Sequence, residues 1–255
     1  MCSSDLADAS HELRNPIATI QTNIQTALAY PDVDPQWQRQ QLQVVERLTQ
    51  RLGNLVNDLL FLARSDSGIV QPDWQPVPLD ALLIQVVEEQ RLIAEQKGIF
   101  LSLQIAEPDG DRQSADDEPF TLQGDWDQLA RLFTNLISNA LEHSFLPGET
   151  SQETAVLVKL QQFQRETRPV YLQVQVEDTG VGILATALPY LFDRFYRPDP
   201  SRYHHQGLTT SSGSGLGLAI AQAIVTSHRG QIQVESVLER GTVFTVTLPL
   251  SGKLP

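Results

Sequence analysis

Asp178-Thr179-Gly180-Val181-Gly182-Ile183 ends one stretch of this chain, and Gly213-Ser214-Gly215-Leu216-Gly217-Leu218-Ala219-Ile220 opens another. Before the first run, residues 170–177 alternate apolar and polar, with Val170, Leu172, Val174 and Val176 on one side, as a half-buried strand does. After the second, residues 216–227 are apolar enough for a buried helix and stop at His228-Arg229-Gly230. A carboxylate at a strand end beside two glycines can accept a hydrogen bond from an amino-substituted ring, because backbone and ring can approach closely there. Glycines at a helix start present free N–H groups and the positive dipole end to phosphate. Either run alone would pass for a turn. Set among the strand and helix patterns of residues 79–248, they fit an α+β domain with a mixed sheet and helices on one face.

The rest of that domain follows the same reading. Residues 79–96 read as a helix stopped by Lys97-Gly98, 99–105 as a strand, 107–118 as a solvated acidic loop and 120–124 as a short strand. Residues 126–144 form a strongly one-sided helix. On it Asn135 and Asn139 lie four apart, so both amides face the same way. Such a pair serves capping or core hydrogen bonding equally well. It also offers amide oxygens to Mg²⁺, a hard cation that prefers oxygen and shares its shell with phosphates. Residues 155–163 pair with 170–177, and 231–237 with 242–248. Residues 184–212 are irregular and read as a lid over a pocket, with Phe192-Asp193-Arg194-Phe195-Tyr196-Arg197 at its base. Arg194, Arg197 and Arg202 are cations that could reach phosphate from it; His204 and His205 read as solvated.

The N-terminal part has a different period. Leu6, Ala9, Leu13, Ile17, Ile20, Ile24 and Ala27 make a helical seam over 6–28, and Leu42, Val45, Thr49, Leu52, Val56, Leu59 and Ala63 another over 36–65. Tyr30-Pro31-Asp32-Val33-Asp34-Pro35 is the turn between them. Two helices cannot hide that much apolar surface, and pairing with a second copy into a four-helix bundle would. His11 lies about 200° from Leu13 on the helical wheel, away from the seam. An isolated histidine there reads as solvated. This one is followed by Glu12, and Asn15 sits one turn on. A neutral imidazole attacks phosphorus, and a carboxylate taking its proton keeps it nucleophilic. Pro16 removes a backbone donor inside this helix. Composition breaks at Ser67-Gly68 and stays broken through prolines 72, 76 and 78. The expected division is therefore 1–66 helical hairpin, 67–78 linker, 79–250 α+β domain and 251–255 tail.

Bulk composition sets limits. The 255 residues carry a net charge of −13, from 18 basic and 31 acidic side chains, which argues against a nucleic-acid binder. One cysteine, Cys2, excludes an intrachain disulfide framework and a thiolate-built metal site, and fits a reducing compartment. No run of about 18 apolar residues exists to span a bilayer, and no secretory signal opens the chain. The His11 motif lies close to the start, which suggests a piece cut from something longer.

These pieces resemble the sensor histidine kinases of two-component signalling. His11–Pro16 is similar to that family's H box, Asn135–Asn139 to its N box, Asp178–Gly182 and Gly213–Gly217 to its two G boxes, and Phe192–Phe195 to its F box. The resemblance covers nearly the whole chain. It implies a dimerisation and phosphotransfer hairpin followed by an ATP-binding domain of the Bergerat type. It implies that His11 is phosphorylated with Glu12 as base, and that Asn15 serves dephosphorylation of a partner regulator. ATP would be held by Asn135, Asn139, His143, Asp178, Gly180, Gly182, Arg197, Gly213, Gly215, Leu216 and Gly217, with Mg²⁺ on Asn139 and adenine on Asp178. Expected partners are a second copy through residues 1–66 and the receiver domain of a response regulator. Glu142 stands where many members carry a basic residue, and His143 where a tyrosine or histidine often lines the adenine pocket.

Three rivals remain open. ATPases of the gyrase, MutL and Hsp90 kind share this nucleotide fold, but typically carry a water-activating glutamate four residues before the magnesium asparagine. Asn135 cannot act as that base. A degenerate scaffold would bind nucleotide without turnover. A phosphatase-dominant protein would use Glu12 and Asn15 instead.

Overall fold

The structure, a computed structural model, describes residues 3–29, 34–68, 72–107, 119–144, 154–164, 170–198 and 214–250. They form two compact units, the first dominated by a helical hairpin and the second by a sheet.

In the first unit α1 spans Ser3–Ala29 and α2 spans Pro35–Asp66. Asp34 starts α2 by accepting a hydrogen bond from the Gln36 amide at 3.0 Å, with Pro35 supplying a preset first turn. Gly68 ends it at φ 65°, donating to the Ser65 carbonyl. Leu55 and Leu62 are buried, as is Ala9 on α1. The predicted seam is only partly covered: Leu42 is 63%, Ile24 43% and Ile17 41% exposed. Pro16 sits inside a helix that continues unbroken through it. Short stretches at 193–196 and 214–216 group with this unit. In it Arg194 pairs with Asp66 at 2.5 Å and lowers that carboxyl's pKa. The arginine read as a phosphate ligand is thus already engaged.

The second unit carries a mixed five-stranded sheet, built from β2 (Phe100–Ile105), β4 (Ala155–Gln164), β5 (Val170–Asp178), β6 (Gln231–Val237) and β7 (Gly241–Pro249), in the order β2-β4-β5-β7-β6. Strand β2 runs parallel to β4, and every other pairing is antiparallel. Alternation sorts the faces. Val156, Val158, Leu160, Leu172, Val174, Val176, Phe244, Val246 and Leu248 are at most 1% exposed and meet the helices. The other face is polar, held by Lys159–Glu177 at 2.9 Å and Gln161–Gln173 at 2.5 Å. The helices are α3 (Leu79–Lys97), α4 (Trp126–His143) and α5 (Gly217–Ser227). This is the Bergerat-type sandwich that the sequence leads one to expect.

One boundary needs correction. Residues 67–78 read as linker, but Gln75–Pro78 form strand β1, paired antiparallel with β3 (Thr121–Gly124), and Val77 is fully buried. Prolines at 76 and 78 hide the strand in sequence, yet a two-stranded ribbon has a free side on which a missing N–H costs nothing.

Candidate functional site

Helix α4 is set by its first residue and its apolar face. Asp125 accepts from the Gln128 amide at 3.0 Å. Leu129, Leu132, Phe133, Leu136, Ile137, Ala140 and Leu141 are at most 1% exposed and turn into the core. That fixes Asn135, Asn139, Glu142 and His143 on the opposite side. The Asn135 amide nitrogen donates to the Gly217 carbonyl at 3.2 Å, so the paired asparagines and the start of α5 meet. The Asn139 amide has no hydrogen-bond partner among the described residues, leaving its oxygen available to a hard cation. Among those residues no three His, Cys, Asp or Glu side chains cluster to hold a metal.

Asp178 is 4% exposed at the end of β5. Its carboxylate accepts the Gly180 amide at 2.9 Å and the Thr242 amide. Burial outweighs those bonds and pushes its pKa up from 3.8 to about 6, with Glu177 adding to the rise. Gly180 is required by space, since a Cβ there would lie 2.1 Å from the His143 carbonyl oxygen. Gly182 has φ 69° and lies against Val237. The His143 carbonyl accepts from Val181 at 3.3 Å. Its ring is kept neutral by burial against the pull of Glu142, and Lys97 and Arg197 add to the lowering. These are the residues the structure brings together: Asn135 with Gly217, and Asp178, Gly180 and His143 around one loop, with Arg197 close enough to act on the ring.

Other candidates have different neighbours. Gly215 (φ 71°) packs its backbone on Phe195, whose amide donates to the Gly215 carbonyl at 3.0 Å, and Leu216 is fully buried. Both group with the first unit. Gly213, Arg202, His204 and His205 lie outside the described residues. In the hairpin, His11 and Asn15 are exposed and Glu12 is half-buried.

Sequence reasoning missed a second tier. Ser236 accepts from the Ile183 amide at 2.8 Å, donates to the Gly241 carbonyl at 2.9 Å and touches the Thr242 hydroxyl at 3.0 Å. The Glu239 backbone amide donates to the Val181 carbonyl at 2.8 Å. The turn between β6 and β7 is thus bolted to the loop after Asp178. Gly241, at φ 110°, must lack a side chain, because a Cβ would fall 1.8 Å from the Asp178 carbonyl oxygen. Lys97 donates to the Leu141 carbonyl at 3.1 Å, tying α3 to the end of α4. Only the cross-strand register Asp178↔Thr242 would have pointed to these positions.

Residues 124–252 match the family described as histidine kinase-, DNA gyrase B- and HSP90-like ATPase, and residues 6–68 match the His Kinase A (phospho-acceptor) domain. The sensor histidine kinase RppB of Synechocystis is 33% identical over 249 residues, 96% of this chain and 48% of its own length. The histidine kinase AdeS of Acinetobacter baumannii has a similar fold, with a TM-score of 0.68 at 19% identity over 95% of this chain and 98% of that one. The histidine kinase ThkA, solved with the response regulator protein TrrA, also scores 0.68 at 19% identity, over 98% of this chain and 62% of that one. The chain belongs to the sensor histidine kinases of two-component signalling. It spans about half the length of the curated relatives it matches.

Proposed function

We propose that this chain is a protein histidine kinase: it binds Mg-ATP in its second unit, phosphorylates itself on His11 and passes the phosphoryl group to an aspartate of a response regulator. The observation that carries this reading is the engagement of Asn135. Where a hydrolysing relative would present a base to water, an amide donates to the Gly217 carbonyl. A kinase that sends phosphate to histidine has no use for activated water at that point. His11, exposed on α1 within the matched phospho-acceptor segment, is the acceptor.

The residues fit Mg-ATP. Asp178 accepts the adenine amino group, Gly180 lets the ring approach, and His143 lines its edge as a neutral ring. The amides at the start of α5 from Gly217 and the guanidinium of Arg197 would hold the phosphates. Asn139 supplies an oxygen to Mg²⁺, with Asn135 beside it. Bound there, Mg-ATP supplies the γ-phosphoryl group and the charge neutralisation its transfer needs. His11 forms a nitrogen–phosphorus bond as the bond from the γ-phosphorus to the bridging oxygen breaks, and ADP leaves. Glu12 takes the proton from the other ring nitrogen. Gly213, Gly215 and Leu216 are assigned to the nucleotide by the resemblance of their run to the family's second G box.

The exposed apolar stripe of Leu28, Leu42 and Leu60 is covered by a second copy, giving a homodimer through residues 1–66. Thr19, Thr22 and Asn23, whose side chains bond back to their own helix, present a smooth polar face to the receiver domain. Asn15, exposed one turn from His11, supports a second reaction, dephosphorylation of the regulator, by orienting water. The test is incorporation of label from γ-labelled ATP. Acid-labile label in the parent and none in His11→Gln is expected. Free phosphate released equally by both would overturn the kinase reading in favour of an ATPase. For the second reaction, Asn15→Ala should slow loss of phosphate from a phosphorylated regulator while leaving self-labelling intact.

A further inference from the structure

The pole of the second unit where α4 begins and α5 ends holds a polar cluster that nucleotide chemistry does not use. His228, 3% exposed, closes α5. Its Nδ1 lies 2.8 Å from the Ile224 carbonyl, so that nitrogen carries the proton. Its Nε2 is therefore a bare lone pair, and it accepts the Asp125 backbone amide at 3.0 Å. The Asp125 carboxylate accepts three bonds: the Gln128 amide at 3.0 Å, the Gln128 side-chain nitrogen at 2.9 Å and the Asp73 amide at 3.0 Å. Trp74 packs against the imidazole, ring centres 5.4 Å apart and planes tilted by 54°. Asp73 and Trp74 immediately precede β1, on the segment that leads from the hairpin into the sheet unit.

We propose that Asp125, His228 and Trp74 form a proton-sensitive clasp that fastens residues 72–74 to the catalytic unit at neutral pH and releases them on acidification. The clasp works only with a neutral ring. A proton on Nε2 removes the acceptor of the Asp125 amide and sets two N–H groups face to face at the positive end of α4. The new N–H is also drawn to the Asp125 carboxylate, where it competes with the Asp73 amide. The second effect acts on the Asp73 contact directly, and the first acts on it through Asp125, whose carboxylate makes that contact. Around the ring, α4 contributes the Asp125 carboxylate and the neutral Gln128, and α5 contributes Ser227 and the Ile224 carbonyl. Strand β3 contributes Gly124. The exposed charges of Asp73, Asp127 and Arg229 are next in sequence. Burial lowers the His228 pKa, while the Ile224 carbonyl and Asp125 resist. The clasp is thus fully formed above the ordinary histidine pKa of 6.5 and lost as pH falls through a lower value.

Release would free residues 72–74, about 10 Å of extended chain. This inference goes beyond the kinase reading, and its test does not depend on that reading. Amide exchange across residues 72–78 of the full chain would be followed from pH 8 to pH 5, corrected for intrinsic rates. Protection of the Asp73 amide, which the Asp125 carboxylate holds, should fall about tenfold per pH unit below the His228 pKa. His228→Gln should give a flat profile, and Trp74→Ala low protection at every pH. A flat parent profile, or an unchanged slope in His228→Gln, overturns the proposal. Should His228→Gln fail to fold, the ring titration in the parent, read by NMR, decides. A midpoint coinciding with segment release supports the clasp, and one that differs, or no titration down to pH 5, overturns it.

Discussion

At the scale of single residues, Asp178 matters most. In the fold its carboxyl keeps a proton up to about pH 6, against 3.8 in an unperturbed carboxyl. A raised carboxyl pKa stabilises the fold below the unfolded value and loses that contribution as pH rises through the folded value, roughly 3 kcal/mol in all. Adenine recognition needs the opposite state, because only the carboxylate accepts from the amino group. Nucleotide binding should therefore expel a proton near pH 6. Calorimetry in buffers of different ionisation enthalpy should detect that release, with affinity falling up to about tenfold per unit below pH 6. Asp178→Asn should weaken ATP by roughly ten- to hundredfold, the loss of a charge-assisted bond, and flatten that pH dependence. Asp178 and Asn135 are legible in sequence because each sits in a glycine or helical pattern that gives it a direction. Thr242, Ser236 and His228 are not. Their significance comes from what lies across a strand or at the far end of another helix, and no local pattern carries that information.

At the scale of elements, the turn between β6 and β7 supports the loop after Asp178. Ser236 is its pivot, since one hydroxyl serves the Ile183 amide, the Gly241 carbonyl and Thr242. Ser236→Ala leaves the Ile183 amide without its acceptor in a half-buried place, so thermal unfolding should report a loss of about 1 kcal/mol. ATP affinity should fall several-fold in the same variant, since the loop carrying Gly180 and Gly182 loses its anchor, while self-labelling at saturating ATP stays near the parent rate. Equal affinity in parent and variant would deny the turn any positioning role. The helices and the strands β4–β7 were readable because each repeats its period over several residues. Strand β1 was not, because four residues with two prolines carry no period. What makes it a strand is its partner β3 and the burial of Val77, both properties of the folded unit.

At the scale of the whole molecule, the two units bury apolar surface to very different degrees. The sheet unit has a closed core of its own, with Phe133, Leu136, Ile137 and Phe244 fully buried. The hairpin does not: its described apolar side chains include Ile17, Ile24, Leu28, Leu42, Val56 and Leu60, all at least 40% exposed. At roughly 25 cal/mol per Å² of apolar surface removed from water, covering such a stripe favours association strongly. A second copy offers the matching stripe at no cost in new design. Sedimentation should therefore find a dimer, and Leu60→Asp, which places a charge in the stripe, should shift it toward monomer. Because Asn135, Asn139, His143, Asp178 and Gly180 belong to the sheet unit, ATP affinity per chain should stay within about twofold of the parent, as expected for distant sites. Loss of ATP binding together with the dimer would mean that the sheet unit depends on the bundle for its fold. Retention of the dimer would mean that Leu60 lies outside the surface the two copies share.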